Sequence, residues 1–281
     1  MIGTRATKKV VIKGKSMKGR IPEITKSMKE KAGEKVYDAN NQALRLDTMG
    51  FGKLQILQDP REFCYGIDAV LLADFAAKDN SAMERVCELG AGNGAVSMIF
   101  NHKRPVKEMV AVEIQYSAAR LACYNVNRNR LDHIEIIHSD ILDLEETYYG
   151  RFDGVLTNPP YFPHRGSLSS AGEAKHVARQ ETTASLKEFL QISSRLLKPG
   201  KALYMVHRPF RLADIICSGR QWDLETKVMR MVAPEHGKSP NLVLLKLVKC
   251  GGVQMTVEDT LYVRGKDGQY TEEINRIYQR I

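Results

Sequence analysis

The sequence predicts an α/β fold with a mostly parallel sheet and an antiparallel edge. Three observations carry that prediction. Short β-rich apolar runs alternate with helical runs from residue 85 to residue 218, which means βαβ units with right-handed crossovers. The glycine-rich stretch Gly90-Ala91-Gly92-Asn93-Gly94 follows the first of these strands and opens a helix. The run Phe152-Asp153-Gly154-Val155-Leu156 leads into Thr157-Asn158-Pro159-Pro160-Tyr161-Phe162. Two prolines end ladder pairing there, and the residue before each is pushed out of the helical region. The result is a stiff turn at the carboxyl end of a strand, where open α/β sheets bind ligands.

The elements follow in chain order. Residues 1–42 are expected to be a basic, flexible N-terminal extension, with a short charged helix over 21–40. Residues 43–281 are expected to form one domain: a hairpin and helix over 43–80, a core sheet over 81–250 and a tail over 251–281. Leu44-Arg45-Leu46 and Lys53–Gln58 flank Gly50-Phe51-Gly52 as two strands of a hairpin, which Asp59-Pro60 ends. Ala69–Ala77 is an apolar helix with Asp68 as its N-cap and Gly66 freeing the turn before it. Strands are expected at Arg85–Leu89, Met109–Ile114, His133–His138, Phe152–Thr157 and Ala202–Val206. Helices are expected at Ala95–Asn101, Ser117–Asn129, Leu186–Leu197 and Arg211–Ser218, with Lys198-Pro199-Gly200 as a stop signal. Leu224–Val232 and Leu242–Lys249 follow without a helix between them, which predicts the antiparallel edge hairpin. The tail, with a short helical run from Thr271, is expected to pack on or near the sheet.

Composition narrows the function classes. No run of about 18 apolar residues predicts a membrane span. The five cysteines (Cys64, Cys87, Cys123, Cys217, Cys250) form no C-x-x-C pair and have no histidine cluster beside them. That pattern argues for reduced thiols in a cytosolic protein and against a zinc site or a disulfide framework. The net charge is +9, and most of the excess lies before residue 40. A lysine-rich arm suits nucleic acid through phosphate contacts, and equally suits a solvated tail.

The glycine stretch is neither G-x-G-x-x-G nor G-K-[ST], so the dinucleotide and nucleoside-triphosphate fingerprints both fail. Its glycines allow a sharp turn close to a ligand. Glu88, just before it, would repel a pyrophosphate and orient a cation. Glu113 ends the second strand about 20 residues on, where an acid accepts from ribose hydroxyls. Asp140 ends the third strand, where it can accept from an adenine amino group. Each acid alone is more often a cap or a solvated side chain; successive placement beside the glycine loop makes the set specific. Asn158 offers a carbonyl acceptor, the C=O of Pro159 a second, and Tyr161 a flat face for an unstacked base.

With Glu88-Leu89-Gly90-Ala91-Gly92-Asn93-Gly94, Glu113, Asp140 and Asn158-Pro159-Pro160-Tyr161 in place, the chain resembles the class I S-adenosylmethionine-dependent methyltransferases over roughly residues 43–250. The resemblance implies a Rossmann-like fold with a seven-stranded sheet whose last strand is antiparallel, and S-adenosylmethionine as cofactor. The cofactor contacts it implies are Phe63, Gly66, Asp68, Glu88, Gly90, Gly92, Gly94, Glu113, Asp140 and Asn158. In that family an Asn/Asp-Pro-Pro-aromatic turn marks methylation of a nitrogen conjugated to a π-system, which makes Asn158, Pro159 and Tyr161 the catalytic candidates. No metal is implied.

Phe63-Cys64-Tyr65-Gly66-Ile67-Asp68, Asn158-Pro159-Pro160-Tyr161-Phe162, Ala178-Arg179-Gln180-Glu181 and Gly237-Lys238-Ser239-Pro240-Asn241 together are similar to the bacterial tRNA adenine-N6 methyltransferases. These modify the adenine 3′ to the anticodon, position 37, of a valine tRNA. Gln180 departs from the histidine expected in many relatives, and the arm before residue 40 is longer than expected. The resemblance implies a tRNA partner, with Phe162, Arg165, Lys175, Arg179 and Lys238 as RNA-binding candidates. Three alternatives stay open: an rRNA guanine-N2 methyltransferase, a release-factor glutamine N5-methyltransferase and a non-catalytic RNA-binding protein. The sequence leaves the oligomeric state open.

Overall fold

The structure is a computed structural model that describes residues 36–37, 43–62, 64–161 and 184–281. A three-stranded antiparallel sheet comes first, with β1 (Val36–Tyr37), β2 (Ala43–Thr48) and β3 (Gln55–Gln58) in that order. Residues 36–37 lie inside the stretch read as a charged helix; they pair as a strand with β2. Helix α1 (Ile67–Ala77) leads into the alternating run: β4 (Arg85–Leu89), α2 (Ala95–Lys103), β5 (Glu108–Glu113), α3 (Tyr116–Arg128), β6 (Ile134–His138) and β7 (Phe152–Thr157). Then come α4 (Leu186–Leu196), β8 (Leu197–His207), α5 (Leu212–Gln221), β9 (Leu224–Glu235), β10 (Leu242–Lys249), β11 (Thr256–Arg264) and α6 (Glu272–Ile277).

The large sheet has the order β11-β9-β10-β8-β7-β4-β5-β6. Strands β6, β5, β4, β7 and β8 pair in parallel, as the βαβ pattern requires. The hairpin β9–β10 supplies the antiparallel side, with β10 set between β8 and β9. The count rises from the expected seven to eight because residues 256–264, read as tail, add β11 parallel to β9 at the edge.

Alternation along the strands builds two cores. Met109 and Ala111 face α1, α2 and α3, while Val110 and Val112 face α4 and α5. Both sides are closed, so β4, β5 and β7 are buried along nearly their whole length. Helix α4 opens on a capping box: Ser185 Oγ accepts from Glu188 N–H, and Glu188 Oε2 accepts from Ser185 N–H at 2.6 Å.

Two local expectations need correction. Lys198-Pro199-Gly200 was expected to separate helix from strand, but β8 begins at Leu197. The three residues fall where its register against β7 shifts, between Phe152 and Gly154. Gly200, at φ +75°, supplies the backbone that an L side chain rarely adopts. Asp68 does not cap α1; the N-cap is Gly66 and Asp68 sits in the first turn. That frees most of its carboxylate for the site described next.

Candidate active site

The carboxyl ends of β4, β5, β6 and β7 open into one cavity of about 440 Å³, within the range of small-molecule sites. The loop after β4 forms its floor. Gly90 and Ala91 donate to Val112 O at 2.9 and 3.0 Å, so the loop folds over the end of β5. Gly92 has φ +55°, and a Cβ there would meet no atom within 4 Å, because it would project into open space. Gly94 lies behind the floor at φ +85° as the N-cap of α2, where a Cβ would press on Ala122 at 3.4 Å.

Of the acids that line the cavity, Glu88, Glu113 and Asp140 stand at or just beyond the carboxyl ends of β4, β5 and β6. Glu88 is buried beneath the loop and accepts a hydrogen bond from Ser97 Oγ. Burial pushes its carboxyl up to about 8. Glu113 is held by the backbone: Oε2 accepts from Gly92 N–H and Oε1 from Gln115 N–H, both at 2.7 Å. Burial raises its pKa, against the pull of those bonds. Glu113 lines the cavity, and a carboxylate has acceptor capacity beyond these bonds, which suits hydroxyl donors. Asp140 is only half-buried, and its Oδ1 accepts from Leu142 N–H at 3.0 Å at the start of a short 3-10 turn.

The Asn158-Pro159-Pro160-Tyr161 turn forms the opposite wall. Thr157 Oγ1 donates to Leu89 O at 2.9 Å and ties the end of β7 to the end of β4. Asn158 Nδ2 donates to Asp68 Oδ2 at 2.9 Å, and Asn158 Oδ1 accepts from the Tyr161 hydroxyl at 2.5 Å. Burial, then the nearby Asp68 charge, raises the Tyr161 phenol well above its ordinary value, so it stays protonated as a donor. The Tyr161 ring meets the edge of His207 at 5.0 Å between centroids, and the Arg208 guanidinium lies 5.0 Å from its centre. Burial pushes His207 down to about 4, so it is neutral at pH 7.

Of the residues singled out in the sequence, Asp68, Glu88, Gly90, Gly92, Glu113, Asp140, Asn158, Pro159 and Tyr161 all border this cavity. Gly66 and Gly94 stand behind it as helix caps. Lys238 does not line it; it sits on the β9–β10 turn, 4.0 Å from Glu235. Phe63, Phe162, Arg165, Lys175, Arg179 and Gln180 lie outside the described residues.

Sequence reading missed His207 and Arg208 beside the turn; the signal was a strand ending just before Pro209. It also missed the network that holds the floor in place. Asn125 is fully buried; its Oδ1 accepts from Leu57 N–H at 2.7 Å, and its Nδ2 donates to Leu57 O and Asn93 O. Gln58 Oε1 accepts from Asn93 Nδ2 and from Tyr65 N–H. The hairpin, the glycine loop and α3 are thereby one polar unit, built from amides that carry no distinctive spacing in the sequence.

The described residues contain no group of acids, histidines and cysteines able to hold a metal ion, and no helix long and apolar enough to cross a membrane. The donors fit instead a nucleoside with a cationic end: hydroxyl acceptors at Glu113, an acid at Glu88 and a backbone cradle at Gly92.

Comparison with known proteins places the chain in a family. Residues 53–216 match the Methyltransferase small domain family. A tRNA1(Val) (adenine(37)-N6)-methyltransferase of Aeromonas hydrophila is 27% identical over 74% of this chain and 85% of its own length. The Porphyromonas gingivalis protein of the same name is 27% identical over 82% of this chain and 93% of its own. The crystal structure of a predicted O-methyltransferase from Agrobacterium tumefaciens superposes with a TM-score of 0.61 at 19% identity, covering 75% of this chain and 95% of that one. With a family match over more than half its length, this chain belongs to the Methyltransferase small domain family.

Proposed function

We propose that this protein transfers the methyl group of S-adenosylmethionine to N6 of an adenine in tRNA, and that the target is adenine 37 of a valine tRNA. One observation carries the reaction type: the Asn158-Pro159-Pro160-Tyr161 turn faces the glycine loop, Glu113 and Asp140 across a single cavity. The relatives' names support the base and the RNA.

The cofactor supplies an electrophilic methyl on a sulfonium. The chain's own work is binding and orientation. Gly90, Gly92 and Glu88 hold the methionine end, Glu113 takes the ribose hydroxyls and Asp140 the adenine edge. An exocyclic amine is a poor nucleophile because its lone pair is delocalised into the ring. Asn158 Oδ1 and Pro159 O accept its two hydrogens, which localises that pair toward the methyl donor. Tyr161 supports the plane of the base. The rate gain is therefore one of position and fixed dipoles. The amide oxygens that hold the amine are not bases, so the step needs no general base at Asn158 or Pro159 and the proton is released after transfer. Arg208 and Lys238, at the ends of β8 and β9, are cations for the RNA backbone.

The test is transfer from labelled S-adenosylmethionine to bulk tRNA of a strain lacking the gene, followed by nucleoside analysis. N6-methyladenosine is the expected product. N2-methylguanosine would change the base, no label in tRNA but label on release factor in a parallel reaction would change the substrate class, and no transfer to either despite cofactor binding would overturn the reading.

A further inference from the structure

We propose that Asp68 is a positioning residue that fixes which end of the Asn158 amide faces the methyl acceptor. The proposal rests on the reading of that acceptor as an exocyclic amine. A carboxamide has two ends of nearly equal shape and opposite hydrogen-bonding sense. Only the oxygen end can receive a hydrogen from an –NH2 group. The nitrogen end would set donor against donor. Nothing in Asn158 itself chooses between the two, since the flipped amide fills the same space.

Asp68 makes the choice. An ionised carboxylate only accepts, and its Oδ2 stands 2.9 Å from Asn158 Nδ2. A flipped amide would place oxygen against that carboxylate. Oδ1 is therefore turned to the other side, where the Tyr161 hydroxyl finds it at 2.5 Å. The same hydroxyl lies 3.5 Å from Asp68 Oδ2, so the three side chains form one closed set.

Asp68 is itself anchored. Its Oδ1 accepts from Ala69 N–H at 3.0 Å, which fixes the carboxylate on the first turn of α1. Gly66 leaves room for it: a Cβ at residue 66 would stand 2.9 Å from Asp68 Oδ1. The chain crosses from α1 to the end of β7, 90 residues later, to build this contact. A residue that only capped a helix would need none of it.

The consequence is readable as base discrimination. Hypoxanthine carries a carbonyl where adenine carries its amine, so a correctly turned Asn158 repels it and a flipped one accepts it. The probe is a pair of anticodon stem-loop RNAs with adenine or hypoxanthine at the target position, the second used as a competitive inhibitor. The wild-type chain should methylate the first and bind the second at least about tenfold more weakly.

Asp68→Ala should lower kcat on the adenine RNA by about tenfold to a hundredfold, the range of a lost charge-assisted hydrogen bond. It should bring the two RNAs toward equal affinity, an effect that the loss of a cofactor contact at Asp68 would not produce. Asp68→Asn, which keeps the shape and one acceptor, should fall between and guards against a folding defect. Tyr161→Phe, which leaves Asp68 in place, should keep the discrimination. If Asp68→Ala and Asp68→Asn lose turnover but still discriminate between the two RNAs as the wild type does, the assignment is wrong. A wild-type chain that methylates no adenine overturns the substrate reading, and this proposal with it.

Discussion

Glu88 should make this protein less stable as the pH rises through neutrality. It is fully buried beneath the glycine loop, with Ser97 as its hydrogen-bond donor, and burial carries its carboxyl from 4.5 to about 8. Below pH 4.5 it is protonated whether the chain is folded or not. Between 4.5 and about 8 the unfolded chain gives up the proton and the folded chain keeps it, so the folded state loses ground with each step in pH. Above that range both are ionised and the slope vanishes. A shift of this size corresponds to about 5 kcal/mol across the window, a large share of a domain's stability. Glu88→Gln keeps an acceptor for Ser97 and cannot ionise. Its urea midpoint should therefore gain on the wild type steadily from pH 5 to pH 8. Burial keeps a proton on this carboxyl at neutral pH, so a cation bound beside it should expel that proton. Calorimetry of S-adenosylmethionine binding in buffers of different ionisation enthalpy would count it, and Glu88→Gln should release none. Parallel stability curves for the two proteins would refute the reasoning.

Asn158→Ala should cost about 10²–10³ in kcat, with the affinity for S-adenosylhomocysteine kept within a few-fold; loss of that affinity would mean the residue is misplaced. Asn125→Ala leaves Leu57 N–H, Leu57 O and Asn93 O without their side-chain partner and should cost about 3 kcal/mol or more by urea denaturation. Asp79 is held down to about 2 despite a desolvation penalty that pushes the other way, chiefly by Lys246, with Ser81 N–H adding to it. Its contribution is present above pH 3.8 and disappears as the pH falls toward 2. Solvent screening at this half-buried site leaves about 1 kcal/mol, which Lys246→Met should abolish in an acid-unfolding titration.

The parallel strands were legible because both faces of the sheet are covered, so β4, β5 and β7 are buried at nearly every position and each carries a short apolar core such as Met109–Val112. The site was legible where chemistry forces a residue type: glycine at φ +55° in the loop, acids at strand ends, proline after Asn158. Asp68 was legible as a residue but not in its role, because an aspartate before an apolar run reads as a cap, and its real partner lies 90 residues away. Asn125 and Gln58 escaped for the same reason. An amide is polar in any environment, and only the fold shows that these two are buried. Strand β11 was missed because its residues alternate weakly, with Val257 and Glu258 both exposed.

Among the described residues the three-stranded sheet ends at β3, and the outer edge of β3 is met by side chains rather than by another strand. Gln55 N–H and C=O meet the Asn129 side chain, and Leu57 N–H and C=O meet that of Asn125 one helical turn away. Two amides spaced four residues apart on α3 thus imitate a neighbouring strand. Unlike a strand, they offer no further edge of their own. An open β3 would be a template for pairing with another chain. Its protection against self-association therefore rests on two helix side chains. Their loss would convert a folding defect into a sticking one.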